Sequence, residues 1–188
     1  MDNSVVSKTK ITIGGASGTG KGTIRSLLAK ELGFPEYSVG DFFRQIAKEK
    51  GFDSLLAFQE SIHGEDADDA TIDKMVDEKT VQFGKLEDNF VIEGRLAAYM
   101  IPQGCNILFV CDTDVRIGRV ASRQNLSQEE AEIETLRREK LYSSFYDKHY
   151  GIENFLDEKY YNLVIDTSQK RPEEIVEEII TYINNIVE

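Results

Sequence analysis

Short apolar runs alternate with amphipathic stretches along the chain, and this alternation sets its organisation. Lys10 to Gly14 is a β-rich run that stops in glycines, and Ile24, Leu27, Leu28 and Leu32 beyond it fall on one helical face. That order predicts strand, loop, helix. Two later runs, Phe90-Val91-Ile92 and Ile107-Leu108-Phe109-Val110, lack polar alternation, as strands covered on both faces of a parallel sheet should. Leu163-Val164-Ile165 supplies another, and Glu36 to Val39 predicts a fifth, short strand.

Helical patterns fill the intervals. Asp41 to Lys50 predicts a helix ending at Gly51, and Ser127 with Glu130 three residues later forms a capping-box pattern ahead of a long polar helix. Tyr150-Gly151 closes that helix. The last helix starts near Pro172, with Ile175, Val176, Ile179, Ile180 and Ile183 as its buried stripe. Strand and helix in recurring order predict a layered α/β fold. At 188 residues, with no internal repeat or low-complexity linker, residues 1–188 read as one domain. The like charges of Gly64-Glu65-Asp66-Ala67-Asp68-Asp69 predict a mobile connection.

Composition narrows the functional classes. Lysine plus arginine is 22 against 34 acidic residues, a net charge of −12, so the general field repels phosphate-rich polymers. No nucleic-acid polymer is expected as partner, and any bound anion needs a local positive site. Cys105 and Cys111 have neither zinc-site spacing nor a C-x-x-C motif and read as reduced thiols. No run approaches the roughly 20 apolar residues of a membrane span, and the opening residues show no cationic leader before an apolar stretch. The expected location is the cytoplasm.

Gly15-Ala16-Ser17-Gly18-Thr19-Gly20-Lys21 fits G-x-x-x-x-G-K between a predicted strand and helix. Its glycines let the backbone fold around an oxyanion, the helix N-terminus adds its positive dipole end, and Lys21 neutralises the outer phosphates. Gly22 follows the lysine where a hydroxyl residue is usual, and Thr23 comes one later. Direct ligation of a metal ion by that hydroxyl is therefore not expected.

Three further groups accompany the loop. Ser38-x-Gly40-Asp41-x-x-Arg44 reads either as an ordinary helix cap with a solvent-facing arginine, or as a cap that aims Arg44 at a second phosphate. Glu93-Gly94-Arg95 ends an apolar strand where ligands of open α/β sheets bind; Glu93 could hold water on Mg²⁺ and Arg95 an acceptor phosphate, or the two could pair at the surface. Arg116, Arg119 and Arg123 share a helix face with no acidic residue between Asp114 and Glu129; the three, without local partners, read as reserved for an anion in preference to a solvated face, with Arg137 and Arg138 on the next helix able to join. His63 and His149 lie far from every motif and read as surface or core residues.

Together Gly15 to Thr23, Ser38 to Arg44, Ile92-Glu93-Gly94-Arg95-Leu96-Ala97, Arg116/Arg119/Arg123, Tyr150-Gly151-Ile152 and Leu163 to Ser168 resemble cytidylate kinase, especially its short form, among the P-loop nucleoside monophosphate kinases. The resemblance implies a three-layer α/β/α P-loop NTPase fold with a five-stranded parallel sheet, a helical acceptor-binding part at about 41–85 and a lid at about 116–150. It implies phosphoryl transfer from ATP, with Mg²⁺, to CMP or dCMP. By position, residues 15–23 would hold the donor; Ser38, Asp41, Arg44, Glu93, Gly94 and Arg95 the acceptor; and Lys21, Arg119, Arg123 and Arg138 the transferring group. Thr23 and Glu93 would reach the metal only through water. Where the family carries an acid and then an arginine after Arg138-Glu139, this chain has Tyr142 and Phe145. In the presumed acceptor part, Asp73 and Asp77 are either solvent-facing or acceptors for a cytosine amino group. An adenylate kinase-like enzyme, a small-metabolite kinase and a non-catalytic nucleotide sensor are the competing expectations. With no exposed apolar stripe left over, a monomer is expected.

Overall fold

The structure, a computed structural model, describes residues 9–63 and 70–187. The acidic connection at 64–69 and the opening residues therefore lie outside the described residues.

Lys10–Gly15 forms β1, and the chain turns through the glycine-rich loop into α1, Lys21–Leu32. β2 is Glu36–Ser38, one residue shorter than its pattern predicts, because Val39 already begins α2, Val39–Glu49, which the extended Ser38 caps by accepting a hydrogen bond from the Asp41 N–H. Two helices the apolar pattern does not predict, α3 (Leu55–His63) and α4 (Thr71–Leu86), precede β3, Phe90–Glu93. The short α5 (Ala97–Met100) leads to β4, Cys105–Val110. α6 (Thr113–Gln124) and α7 (Gln128–Tyr150) follow, joined by a turn in which Asn125 takes the left-handed conformation; Ser127 and Glu130 make a full capping box. β5 (Leu163–Asp166) and α8 (Pro172–Val187) complete the fold.

All strand pairs are parallel, in the order β2-β3-β1-β4-β5. On one face α1 and α8 bury Ile24, Leu28, Ile175, Ile179 and Ile183 against Ile11, Ile13, Val91, Ile107 and Phe109. On the other, Ala97 and Ile101 pack on Phe90 and Ile92, with Phe83 of α4 beside them. This is the expected three-layer α/β/α arrangement with its five-stranded parallel sheet. β5 departs from the prediction of strands covered on both faces: it is an edge strand, and Val164 is 36% exposed.

Register places the site. Ile13 of β1 lies opposite Glu93 of β3, and Glu93 lies opposite Ser38 of β2, so three strands end side by side. From β1 the chain crosses to β2 on one side and from β3 it crosses past β1 to β4 on the other, so the crossovers diverge at the ends of β1 and β3, the kind of crevice where open α/β sheets bind ligands.

One polar contact crosses the sheet interior: Thr12 Oγ1 donates to Asn106 Oδ1 at 2.7 Å, with both residues buried. Thr12→Val keeps the shape and leaves that acceptor without its donor. Urea denaturation should show an unfolding free energy lower by about 1–3 kcal/mol.

Candidate active site

The glycine-rich loop is held from three sides. Gly15 has φ +138° and Gly18 φ +83°; a Cβ at Gly18 would lie 2.3 Å from the Arg116 carbonyl oxygen, so backbone of α6 packs directly against the loop. Thr19 Oγ1 donates to Ala16 O at 3.0 Å, and Thr167, beyond β5, donates to Thr19 O at 3.0 Å. Gly15, Ala16 and Thr19 thus shape the loop, while Ser17, Gly18, Gly20, Gly22 and Thr23 line the cleft above it. Lys21 Nζ donates to Gly15 O at 2.8 Å and Ala16 O at 2.7 Å, across the mouth of the loop. Burial pulls the Lys21 ammonium down to about 8; Glu93 opposes the shift, and Arg95, Arg123 and Arg138 add to it.

The cleft has a volume of ≈ 1180 Å³, and Lys21, Ser38, Asp41, Arg44, Glu93, Gly94, Arg95, Arg123 and Arg138 all line it. Ser38 does two jobs: its hydroxyl caps α2 and donates to Glu93 Oε1. Arg25, one turn after Lys21 on α1, donates to Glu36 at 2.8 Å and lies 3.6 Å from Glu93 Oε1. Glu93 and Arg95 therefore do not pair with each other at the surface. Arg44 bonds to Asp41 within the first turns of α2 and stays half-exposed at the cleft edge. Arg25 is absent from the sequence motifs, although its i+4 spacing from Lys21 is a signal for the same helix face.

The arginine face of α6 divides. Arg116 makes a two-pronged bond to Glu139 of α7, at 2.6 and 3.1 Å, and is buried, which corrects the expectation that all three arginines lack partners. Sequence separation concealed this partner, 23 residues away on the neighbouring helix. Arg119 does not line the cleft; it donates to Thr167 O at 2.7 Å and reaches Gly18 O at 3.5 Å, tying the exit of β5 to the underside of the loop. Arg123 is exposed and faces the cleft.

The far wall comes from α3, α4 and α7. Arg95 lies over the Tyr142 ring, 4.2 Å from its centroid, and donates to Ser17 Oγ at 3.0 Å. Gln59 donates to the Tyr142 hydroxyl and accepts from Arg138 Nε at 3.1 Å. Burial and the neighbouring Arg95 lower Arg138 to about 10. Asp73 and Asp77 both line the cleft; the first meets His63 Nε2 at 2.6 Å and the second accepts from the Tyr150 hydroxyl. Burial pushes the Asp77 carboxyl up to about 6 against the pull of that hydroxyl. His63 is a core residue, as expected, but one that touches the site wall: it stacks on Phe145 at 4.0 Å. Phe145 itself packs with Leu96, Tyr146 and Phe155 and does not line the cleft. Gln59 and Tyr146 are cleft residues that no motif marks, since an amide or a tyrosine among apolar positions carries no periodic or charge signal.

A sequence pattern described as the cytidylate kinase-like family matches residues 10–169. The chain belongs to this family. It is 35% identical over 171 residues to a cytidylate kinase of Methanobrevibacter smithii, covering 91% of this chain and 96% of that protein. To a cytidylate kinase of Pyrococcus abyssi it is 37% identical over 182 residues, covering 95% of each. Among solved structures, an uncharacterized protein of Eubacterium ventriosum superposes with TM-score 0.66 at 21% identity, covering 95% of this chain and 99% of that one. A shikimate kinase of Aquifex aeolicus superposes with TM-score 0.56 at 22% identity, covering 94% and 96%. These two likenesses concern the fold alone. The matched span takes in the loop, the Ser38 to Arg44 and Glu93-Gly94-Arg95 segments and the whole α6–α7 pair, so every cleft-lining arginine lies within it.

The split among the α6 arginines is measurable. Arg116→Ala strands the Glu139 carboxylate in a mostly buried position and should lower the unfolding free energy by about 3 kcal/mol. Arg123→Ala, at an exposed position, should change it by less than about 0.5 kcal/mol. Urea titrations of both variants check the contrast.

Proposed function

We propose that this member of the cytidylate kinase-like family is a nucleoside monophosphate kinase that transfers the γ-phosphoryl group of Mg-ATP to CMP or dCMP, giving ADP and CDP or dCDP. The observation that carries the reading is that Lys21 on the loop side and Arg95, Arg123 and Arg138 on the acceptor side face one cleft, where burial first and the three guanidiniums after it depress the Lys21 ammonium. Such a concentration of cation in a chain of net charge −12 is suited to several phosphates at once.

Transfer proceeds by positioning and charge stabilisation, because the group in flight spreads its charge over its oxygens and demands little of a base. The loop N–H groups and the N-terminus of α1 receive the donor triphosphate, and Lys21 turns from the Gly15 and Ala16 carbonyls to its β- and γ-oxygens. Arg44 and Arg95 hold the acceptor phosphate in line. Arg123 and Arg138 meet the transferring group, and Arg119 steadies the loop from below. Closure of the lid at about 116–150 on the acceptor-binding part at about 41–85 excludes water.

The residues fit Mg²⁺ held chiefly by phosphate and water. Among the described residues no group of three or more His, Cys, Asp or Glu could cage a metal ion, while Glu93 and the exposed Thr23 offer oxygens at the cleft. Such an ion would supply positive charge that offsets the phosphates. Glu93, oriented by Ser38 and Arg25, would hold one of its waters, with Thr23 beside it. At the far wall Asp73 and Asp77, each with one oxygen held from behind, accept from an exocyclic amino group. They disfavour uracil, which presents a carbonyl there.

The test is steady-state ADP formation from Mg-ATP with CMP, dCMP, UMP, AMP and GMP offered separately. CMP or dCMP should give the fastest turnover, and Lys21→Ala should lower it by about 100-fold or more. If AMP wins, the base assignment fails; if no nucleotide is phosphorylated while ATP still binds, a sensor or metabolite kinase takes its place.

The state of Lys21 gives a second outcome. With its ammonium near 8 in the free protein, the lysine is partly neutral at pH 8.5, and triphosphate oxygens favour the charged form. Nucleotide binding should then take up a proton, and affinity should fall as pH rises through about 8. Calorimetry at pH 8.5 in two buffers of different ionisation enthalpy reads the proton directly, and Lys21→Met should abolish the uptake.

A further inference from the structure

Neither guanidinium of the acceptor wall has a carboxylate partner among the described residues, although Arg138 is buried and Arg95 partly so. Arg138 is only 7% exposed, and the buried Arg95 Nε has no hydrogen-bond partner. What they have instead is neutral. Arg95 rests on the face of Tyr142, and Arg138 donates to the oxygen of Gln59. Tyr142 and Gln59 are 2% and 1% exposed and are bonded to each other, hydroxyl to amide nitrogen. Both ends of the Gln59 amide are therefore used, and His63 packs edge-on against the Tyr142 ring at 5.7 Å. The result is one continuous line of contacts: Ser17 of the loop, Arg95, Tyr142, Gln59, Arg138.

A carboxylate in place of either neutral group would be the ordinary way to compensate a buried Arg138 and a partly buried Arg95, and it would be a poor one here. A buried ion pair satisfies both partners, and a phosphate would have to displace the carboxylate to bind. An aromatic face and an amide oxygen orient a guanidinium with partial charges only, leaving its full charge unmatched. We propose that Tyr142 and Gln59 are positioning residues, a neutral clamp that fixes Arg95 and Arg138 while reserving their charge for the phosphates of the two substrates. The proposal rests on the kinase reading for the identity of those phosphates. The demand for a buried anion does not depend on it.

Two substitutions separate the clamp from plain packing. Gln59→Glu puts a carboxylate within reach of Arg138 and stabilises its buried charge. The melting temperature should hold or rise, while kcat drops by about 30-fold or more and calorimetric affinity for inorganic pyrophosphate and for CMP weakens by about tenfold. Tyr142→Phe keeps the ring under Arg95 and removes the hydroxyl that anchors Gln59. It should lower kcat with little change in KM for the acceptor, whereas Tyr142→Leu, which removes the ring as well, should raise KM too. Wild-type kcat and anion affinity in both Gln59→Glu and Tyr142→Phe would overturn the clamp, as would activity losses that simply track losses of melting temperature in all three variants. If the wild-type protein phosphorylates no nucleotide, the kinase reading fails, and the pyrophosphate arm still decides the clamp: weakened binding in a thermally intact Gln59→Glu protein supports it, and unchanged binding overturns it.

Discussion

The side-by-side ending of β1, β2 and β3 is the constraint on which the rest of the molecule depends. With Ile13 opposite Glu93 and Glu93 opposite Ser38, the glycine-rich loop, the Glu93-Gly94-Arg95 exit and the cap of α2 emerge at one level of the sheet. A parallel sheet cannot bring these ends together by hairpins; each return needs a crossover helix. The helices that make those crossovers, α1 through α4, become the floor and one wall of the cleft. Side-chain identity then matters because position is already given: Ser38 can cap a helix and hold Glu93 with the same hydroxyl only because both strands stop there.

That level also collects charge. Lys21, Arg95, Arg123 and Arg138 converge in a chain whose net charge is −12, and burial, with the guanidiniums adding to it, weakens the hold of the Lys21 ammonium on its proton. Such an arrangement is unfavourable without an anion, so the free protein keeps it only by rigid scaffolding. The loop is strapped by Thr167 and Arg119 from beneath, and the far wall by the Tyr142–Gln59 contact between α7 and α3. Packing energy from the apolar clusters thus sustains an electrostatic arrangement that only substrate relieves.

Legibility in the sequence followed the range of the signal. The strands β3 and β4 are continuous apolar runs, β1 is a short β-rich run that stops in glycines, and the capping box of α7 and Pro172 of α8 are local chemistry, so all could be read in short windows. The loop motif was legible for the same reason, since seven consecutive residues carry its geometry. α3 and α4 were not, because their apolar positions serve a small satellite cluster of Phe43, Phe58, Ile62 and Val76, and the pattern is interrupted by residues such as Gln59 and Asp73 that face the cleft. Long-range partners were the least legible. Nothing near Arg116 announces Glu139, and nothing near Arg95 announces Tyr142.

The arginines show what that missing range decides. Arg116 with Glu139, Arg25 with Glu36 and Arg137 with Glu60 at 2.5 Å all have carboxylates, and each joins two elements of the frame: α6 to α7, α1 to β2, α7 to α3. Arg95 and Arg138 have none among the described residues, and both line the cleft. In a chain with 34 acidic residues a cation finds a partner easily, so the absence of one at the buried Arg138 and the partly buried Arg95 is maintained against the composition. A guanidinium already matched by a carboxylate contributes rigidity, while an unmatched one contributes potential. Sorting by partner therefore divides the basic residues more sharply than sorting by motif, which grouped Arg116 and Arg123 on one helical face although one braces α6 against α7 and the other faces the cleft.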